Sequence, residues 1–315
     1  MALVEVRDLV KRYPEAKINA VDGISFDIEA GEVFALLGPN GAGKTTAISI
    51  ISTLLAPTSG TVRVAGVSIA ADPMAVRRSI GVVPQDLALY DELSAVENLR
   101  FWGQMRGLGE ARLRTEVEDK LAITGLAEHG HERVRTFSGG MKRRLNLAVG
   151  LLGDPPLVML DEPTVAIDPQ SRRHILDWVK ELGRRGITVL YTTHYMEEAQ
   201  ELSRRIGIID QGRLIALGTL PELIRLVGQH ETLVLRLVQE SGGAELAARL
   251  QGMGECVQAS AEDGQVVLNV ASAQEALPRV IGRAAELGLN VRTVELREPN
   301  LETVFLHLTG RALRD

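Results

Sequence analysis

A glycine-rich loop between an apolar run and a helical pattern constrains the fold of this chain more than any other feature. It follows the apolar run Val33–Leu37. Its residues are Gly38, Pro39, Asn40, Gly41, Ala42, Gly43, Lys44, Thr45 and Thr46. This pattern between a strand and a helix is typical of a phosphate-binding loop, in which backbone N–H groups surround a β-phosphate. Lys44 would supply positive charge to the β- and γ-phosphate oxygens, and Thr45 would ligate Mg²⁺. The loop therefore predicts an α/β domain that binds a nucleotide.

A second phosphate-binding element stands far beyond this loop in the chain. It consists of Ser138, Gly139 and Gly140, followed by Met141. A hydroxyl group and free backbone N–H groups at a helix start bind phosphate in the same way as the loop does. Because one nucleotide rarely needs two such elements from one chain, the sequence predicts two chains that share two nucleotides.

Polar residues with catalytic potential follow two other apolar runs, 157–160 and 187–191. Asp161 and Glu162 end the first run, so both carboxylates are expected at the carboxyl edge of a sheet, where open α/β folds bind ligands. We expect Asp161 to hold Mg²⁺ through water and Glu162 to accept a proton from the attacking water. His194 follows the second run, where an imidazole would orient that water or stabilise developing charge.

The hydrophobic pattern predicts how the first two thirds of the chain are organised. Continuous apolar runs predict buried parallel strands of an α/β sheet. Alternating segments predict an antiparallel β layer at 2–10, 19–28 and 61–69. Helical patterns replace strand patterns over about 86–152, which predicts an inserted helical subdomain. We expect this first domain to cover 1–220.

The last part of the chain, 224–315, has its own order of elements and predicts a second domain. Strands are predicted at 231–238, 255–260, 265–270 and 290–296, and helices at 244–251, 273–287 and 300–309. This order, β-α-β-β-α-β with an added helix, is that of a ferredoxin-like α+β domain.

Charge and cysteine content exclude some classes of protein. The formal net charge of -6 argues against nucleic-acid binding through bulk positive charge. Cys256 is the only cysteine, so no intramolecular disulfide is possible, and no charged-then-apolar leader is apparent; both favour the cytosol. The apolar runs are shorter than the roughly 18–20 residues that span a bilayer. Any membrane role is therefore expected to depend on a partner.

These elements, with Gln85 and Asp168, stand in the order and at the spacings of a known family. Over residues 2–220 the chain closely resembles the nucleotide-binding subunit of ATP-binding cassette (ABC) transporters. The resemblance implies the ABC cassette of the P-loop NTPases, with a mixed sheet core, an antiparallel β layer and the helical subdomain. It also implies ATP and Mg²⁺ as ligands and ATP hydrolysis as the activity.

The resemblance assigns roles to residues of the second element and its surroundings. Ser138, Gly139 and Gly140 would contact the γ-phosphate of a nucleotide held by the other subunit. Asp168 would lie in a loop that communicates across the dimer. Gln85 would sense Mg²⁺ and the γ-phosphate at the junction with the helical subdomain, which makes it a candidate for both catalysis and metal binding.

Two further assignments concern the adenine and the membrane partner. Tyr13 matches the aromatic side chain that stacks on adenine, although an ordinary aromatic residue of a β layer is the alternative. The stretch 86–98 would lie near the surface that contacts an integral membrane permease subunit. We expect a homodimer, or a heterodimer with a second cassette, held peripherally at the cytoplasmic face of the membrane.

The sequences 72–85, 137–145 and 300–310 look most like the ABC-2 type branch, which exports drugs and antibiotics, sodium, and lipid- or polysaccharide-linked cargo. The expected function is to power export through separately encoded membrane subunits. One alternative is the ATPase of a methionine-type importer, which also ends in a ferredoxin-like regulatory domain. A soluble cassette ATPase without a transporter is the other.

Departures from the family pattern occur at the signature and before Asp168. Met141 stands where glutamine is usual, and Phe137 where leucine is frequent. Ala166-Ile167 replaces Gly-Leu, and a methyl group at a glycine position could restrict φ. We expect hydrolysis to persist and the coupling between sites to change.

Two polar segments are predicted to have no special chemistry. The segment Glu128-His129-Gly130-His131-Glu132 resembles a metal cluster in composition, but it is more simply a polar loop. The run Lys142-Arg143-Arg144 is expected to form solvated helix faces or ion pairs rather than nucleic-acid contacts.

Overall fold

The computed structural model describes residues 2–226, 231–239, 242–251, 256–262, 264–297 and 300–309. The chain forms two compact units, of which one ends at Thr219 and the other begins at Leu220. The strands of the first unit are β1 (Ala2–Lys11), β2 (Val21–Glu29), β3 (Val33–Leu37), β4 (Ser59–Val64), β5 (Val67–Ser68), β6 (Ile80–Val83), β7 (Leu157–Asp161), β8 (Thr188–Thr193), β9 (Arg205–Asp210) and β10 (Arg213–Gly218). Its helices are α1 (Lys44–Ile51), α2 (Pro73–Arg78), α3 (Ala95–Met105), α4 (Glu110–Ile123), α5 (Gly139–Gly150), α6 (Pro169–Arg184) and α7 (Met196–Leu202).

The main sheet of the first unit has the strand order β10-β9-β3-β8-β7-β6. Neighbouring strands from β9 to β6 are parallel, and β10 is antiparallel to β9. Every residue of β3, β7 and β8 is buried, as expected for strands covered on both faces. Parallel strands end at the same edge of a sheet, so the residues that follow Leu37, Leu160 and Thr193 meet there.

The antiparallel layer has the order β2-β1-β4-β5. Phe26 of β2 stacks on Phe34 of β3 with 5.4 Å between ring centroids, in a hydrophobic cluster to which both sheets contribute. The segment 61–69, predicted to belong to this antiparallel layer, forms the two strands β4 and β5, which are joined by a two-residue turn. Ala65 and Gly66 have φ values of 50° and 78°, and positive φ at both positions is the favoured geometry of a tight hairpin.

The predicted helical subdomain contains α3, α4 and α5, which enclose a core of their own that includes Leu99, Leu113 and Leu145. The helix α3 begins at a capping box: the Ser94 hydroxyl accepts from the Glu97 N–H, and the Glu97 carboxylate accepts from the Ser94 N–H. Two otherwise unpaired backbone donors are satisfied in this way, which fixes the start of the helix.

The second unit has the strands β11 (Glu231–Leu237), β12 (Cys256–Glu262), β13 (Gln265–Val270) and β14 (Val291–Arg297). Its helices are α8 (Leu220–Leu226), α9 (Gly243–Leu250), α10 (Ala273–Glu286) and α11 (Leu301–Thr309). The sheet order is β12-β13-β11-β14, and all neighbours are antiparallel. From β11 to β14 the element order is the β-α-β-β-α-β order that the sequence predicts. Residue 255, where a strand was expected to begin, and residues 310–315 lie outside the described residues.

Within the described part of the chain, no helix has the length and apolar character needed to cross a membrane.

Candidate active site

The glycine-rich loop joins β3 to α1, and its backbone packs against neighbouring backbone. A Cβ atom on Gly38 would lie 2.2 Å from the Ile209 backbone oxygen, and one on Gly43 would lie 2.4 Å from the Ala20 backbone oxygen. Gly41 has open space around it but a φ of 78°, a conformation that favours glycine. Close packing and backbone conformation therefore both require the glycines.

Lys44, the first residue of α1, is almost fully buried within this loop. Its Nζ donates to the backbone oxygens of Gly38 at 2.7 Å and Pro39 at 2.9 Å. The same Nζ lies 2.9 Å from Oε1 of Glu162. The loop therefore holds one buried positive charge beside one buried carboxylate, which is the pairing that makes both charges tolerable away from water.

Glu162 follows β7 directly and has a φ of 44°, which is unusual for a residue with a side chain. Its N–H donates to the Thr192 backbone oxygen at 3.1 Å, and its Oε2 lies 3.2 Å from Nδ1 of His194. Both side chains are at least nine-tenths buried. The carboxylate of Glu162 thus lies between an ammonium and an imidazole.

Asp161, the last residue of β7, lies beside the phosphate-binding loop. Its Oδ1 accepts from the Thr192 hydroxyl at 2.6 Å, and the Thr45 side chain is also hydrogen-bonded to it. Burial raises the pKa of Asp161 above its ordinary value, and the nearby Glu162 adds to that effect. The hydrogen bonds from Thr192 and Thr45 and the charge of Lys44 oppose it. The structure therefore brings Asp161 and Thr45 together, as the sequence predicts for a metal site.

Tyr13 lies at the end of the phosphate-binding loop and is 40% exposed. Its hydroxyl is 3.3 Å from the Thr46 hydroxyl, and Lys11 Nζ is 5.6 Å from the ring centroid. An ordinary core aromatic would be buried, whereas this ring has a free surface next to the loop. The expected stacking on adenine stays a prediction.

Comparison with known proteins agrees with this geometry. The family model described as ABC transporter matches residues 21–165. The linearmycin resistance ATP-binding protein LnrL of Bacillus subtilis is 42% identical over 99% of this chain and 100% of its own length. The chain belongs to the ATP-binding subunits of ABC transporters. The daunorubicin resistance ATP-binding protein DrrA3 of Streptomyces coeruleorubidus is 40% identical over 95% of this chain and 93% of its own length.

A solved ABC cassette is also similar to this ABC ATPase. The dimeric post-hydrolysis structure of the cassette MJ0796 bound to ADP and Pi is 26% identical, with a TM-score of 0.63, over 69% of this chain and 98% of that one. The predicted family, its ABC-2 exporter branch, the α/β cassette fold and the ATP-hydrolysing activity are confirmed. The roles of individual residues stay predictions.

The signature residues of this ABC ATPase lie at the start of α5. Ser138 caps the helix, and its hydroxyl accepts from the Met141 N–H at 3.2 Å. Among the described residues, no hydrogen bond links Ser138 to the phosphate-binding loop. Gly139 is exposed with nothing within 4 Å of a Cβ position, whereas a Cβ atom on Gly140 would lie 1.9 Å from the Ser171 hydroxyl. The structure therefore does not bring the two phosphate-binding elements of one chain together.

Asp168 and Ala166 lie in the connection from β7 to α6. Asp168 caps α6, and its carboxylate accepts from the Ser171 N–H at 2.9 Å. Hydrogen bonds from the Ser171 side chain and N–H lower the pKa of Asp168. Ala166 has a φ of 59° and so keeps the left-handed conformation typical of a glycine position despite its methyl group.

Gln85 takes part in a buried contact that the sequence analysis missed. Its backbone oxygen accepts from the Arg143 guanidinium, which also donates to the Val165 backbone oxygen at 3.4 Å. Arg143 is buried, and burial lowers the pKa of its guanidinium. The expectation of a solvated or ion-paired Arg143 is therefore wrong, because two carbonyl groups from distant loops replace water. Gly140, Arg143 and Leu147 recur at helical spacing on the buried face of α5, and that periodicity was the available signal.

The two neighbours of Arg143 in sequence, Lys142 and Arg144, have different partners. Lys142 Nζ lies 2.7 Å from the Asp91 carboxylate, so it forms the expected ion pair. Arg144 donates instead to the backbone oxygens of Thr124 at 3.0 Å and Gly125 at 3.2 Å.

The polar segment 128–132 contains one local contact between its side chains. His129 Nδ1 lies 2.9 Å from Glu132 Oε1. In the described parts of the chain, no group of three or more His, Cys, Asp and Glu side chains is arranged to hold a metal ion.

Proposed function

We propose that this chain is the ATPase of an exporter of antibiotic-like molecules and that Glu162 is its general base. The contact that supports this most directly is the position of the Glu162 carboxylate, 2.9 Å from Lys44 and 3.2 Å from His194. The names of LnrL and DrrA3 refer to resistance to linearmycin and daunorubicin, so we expect export of molecules of this kind.

The phosphates of ATP are proposed to occupy the loop from Gly38 to Thr46, with the adenine on Tyr13. A triphosphate offers oxygen atoms to the Lys44 ammonium, which is shared in this structure between two loop carbonyls and Glu162. As Lys44 turns to the phosphates, the Glu162 carboxylate is released to take the proton of a water molecule. His194 then donates to or orients the groups around that water.

A magnesium ion fits the same edge of the sheet. Asp161 is a buried carboxylate that is hydrogen-bonded by the side chains of Thr45 and Thr192, and oxygen atoms are the ligands that Mg²⁺ prefers. We propose that Thr45 and Asp161 hold the ion, with Gln85 at the hinge of the helical subdomain as a further ligand. When bound, the ion would neutralise charge on the β- and γ-phosphate oxygens.

A second copy of the chain is proposed to complete each site. Ser138 and Gly139 are exposed at the start of α5, which is suited to a phosphate held by another subunit. The dimer of the related cassette MJ0796 gives a precedent. In the full assembly, permease subunits in the membrane would contact the stretch 86–98 and hold the ATPase at the cytoplasmic face.

The substitution Glu162→Gln tests the proposed chemistry. It keeps the shape of the side chain and removes the proton acceptor, so turnover should be abolished while a dimer persists in the presence of ATP. Glu116→Gln is the matched control, because Glu116 is equally buried and pairs with Lys120 at 3.1 Å in the helical subdomain. Normal hydrolysis by the Glu162 variant would contradict the proposal.

A further inference from the structure

Another buried carboxylate, that of Glu198, accepts four hydrogen bonds. Its Oε1 accepts from the Thr164 hydroxyl and from Arg172 Nε, both at 2.7 Å. Its Oε2 accepts from the Tyr191 hydroxyl at 2.9 Å and the Thr193 hydroxyl at 2.8 Å. Only 1% of Glu198 is exposed. All the hydrogen-bonding positions that a carboxylate commonly uses are thus occupied by side chains of this chain.

Two partners of Glu198 lie next to the proposed catalytic residues. Thr164 is two residues beyond Glu162, and Thr193 immediately precedes His194. Glu198 itself lies in α7, which follows His194. One carboxylate therefore joins the loop after β7 to the end of β8, although these two segments are about thirty residues apart in sequence.

The loop after β7 needs such an anchor because of its backbone conformation. Glu162 and Ala166 both have positive φ, at 44° and 59°, and each such residue costs about 1–2 kcal/mol in the left-handed region. Strained conformations of this kind persist only where surrounding contacts impose them. Thr164 lies between the two strained residues, and its bond to Glu198 ties the middle of the loop to buried structure.

Arg172 balances the charge of this carboxylate. Its guanidinium also lies over the ring of Tyr195, 4.3 Å from the centroid, and Tyr195 follows His194. The buried charge of Glu198 is therefore paired with Arg172, and Arg172 also contacts the residue that follows His194.

From these contacts we propose that Glu198 is a positioning residue that sets the separation between Glu162 and His194. It acts through Thr164 on the Glu162 loop and through Thr193 on the His194 loop. This inference rests on the proposed roles of Glu162 and His194. Glu198 does not touch substrate; it holds the two loops that do.

Two substitutions test the proposal, and each removes one hydroxyl group that donates to the Glu198 carboxylate. Thr164→Val removes the bond to the Glu162 loop, and Tyr191→Phe removes a bond to the buried strand β8. Misplacement of a reacting group lowers the rate rather than binding, so Thr164→Val should lower kcat about tenfold and change KM for ATP less than about twofold. Tyr191→Phe should leave kcat within about twofold of the wild type, although both variants lose one buried hydrogen bond and should lower Tm.

A conservative variant separates positioning from general loss of structure. Thr164→Ser retains the hydroxyl and should restore kcat to within about twofold of the wild-type value. Equal kcat for Thr164→Val and Tyr191→Phe, or failure of Thr164→Ser to restore it, would overturn the inference.

The inference and the proposed function fail in different ways. If Glu162→Gln abolishes turnover while Thr164→Val has normal kcat, only the role of Glu198 is wrong. If Glu162→Gln hydrolyses ATP normally, the general-base assignment itself is wrong, whatever Thr164→Val does.

Discussion

The two phosphate-binding regions of this ABC ATPase differ in how far one chain completes them. At the phosphate-binding loop, Lys44, Glu162 and His194 are buried and bonded to one another. At the signature, Ser138 and Gly139 are exposed, and the described hydrogen bond of the Ser138 hydroxyl is to its own helix. The first region is held together by contacts within one chain. The second is exposed, and we propose that another copy of the chain covers it.

Two adjacent glycines show the same difference at the scale of single atoms. A side chain on Gly140 would collide with Ser171 of its own chain, whereas one on Gly139 would meet open space. Gly140 is thus required by the fold of the protomer. Packing within the protomer does not require a glycine at position 139, and close approach of the backbone to a ligand is the usual reason for such a glycine.

Substituting each glycine by alanine should separate the two requirements. Gly139→Ala should keep wild-type stability and lose about a hundredfold in ATPase rate, because the methyl group would displace the partner's nucleotide. Gly140→Ala should instead lower the free energy of unfolding by about 1–3 kcal/mol through its clash with Ser171. Denaturant unfolding and steady-state hydrolysis of both variants are the measurements. A stable, fully active Gly139→Ala protein would break the comparison.

Arg143 lies in α5, which begins at the signature, and it donates to the loop after β7. We expect its removal to have the second-largest effect in this series. Arg143→Met leaves the backbone oxygens of Gln85 and Val165 without their donor, at a cost of about 1–3 kcal/mol in unfolding free energy. Arg114→Met is the control, because Arg114 is exposed and pairs with Glu118 on the same helix. Its effect should stay within about 0.5 kcal/mol. Equal stability of the two variants would show that the buried bridge contributes nothing.

Ala166→Gly should stabilise the protein by about 1 kcal/mol, because glycine adopts positive φ without the penalty of a methyl group. Ala122→Gly, at an exposed position in α4, should have the opposite sign, with a loss of up to about 1 kcal/mol. Chemical denaturation of both variants tests this. Destabilisation by Ala166→Gly would mean that the loop is not strained there.

The smallest effect that we expect is a pH-dependent change in Tm on substitution of Asp161. Burial raises its pKa above 3.8, so the ionised side chain destabilises the folded state at neutral pH, and this penalty disappears as pH falls through the raised pKa. Asp161→Asn should therefore raise Tm of the nucleotide-free protein at neutral pH, and the gain should shrink on acidification. Asp177→Asn should lower Tm slightly, because the hydrogen bond from Arg173 lowers the pKa of Asp177. A lower Tm for Asp161→Asn at neutral pH would contradict the assignment.

Much of the fold and of the site followed from local pattern. The runs at Val33–Leu37 and Leu157–Asp161 are short, continuous and followed by polar residues, so they predicted buried parallel strands and placed Lys44 and Glu162 at one sheet edge. Periodicity of two and of 3.6 residues likewise predicted the order of elements in the second unit.

Contacts between distant segments could not be predicted in this way. Arg143 and Glu198 have charged side chains of a type usually found in solvent, and although helical spacing indicated the buried face for Arg143, the partners of both residues come from several distant elements. The positive φ of Ala166 depends on its loop and not on its residue type. Burial of charge arises from tertiary structure, and for Ala166 the replaced glycine indicated a constraint on φ without giving the conformation of the loop.

The central claim is that one chain's signature completes the other chain's site. It is tested by mixing two inactive proteins, Lys44→Ala and Gly139→Ala. In a head-to-tail heterodimer, one site combines the intact loop of the Gly139→Ala chain with the intact signature of the Lys44→Ala chain, while the other site has both defects. Mixing should therefore restore part of the wild-type ATPase rate. If heterodimers form and hydrolysis stays at the level of the separate variants, the two regions do not belong to one shared site.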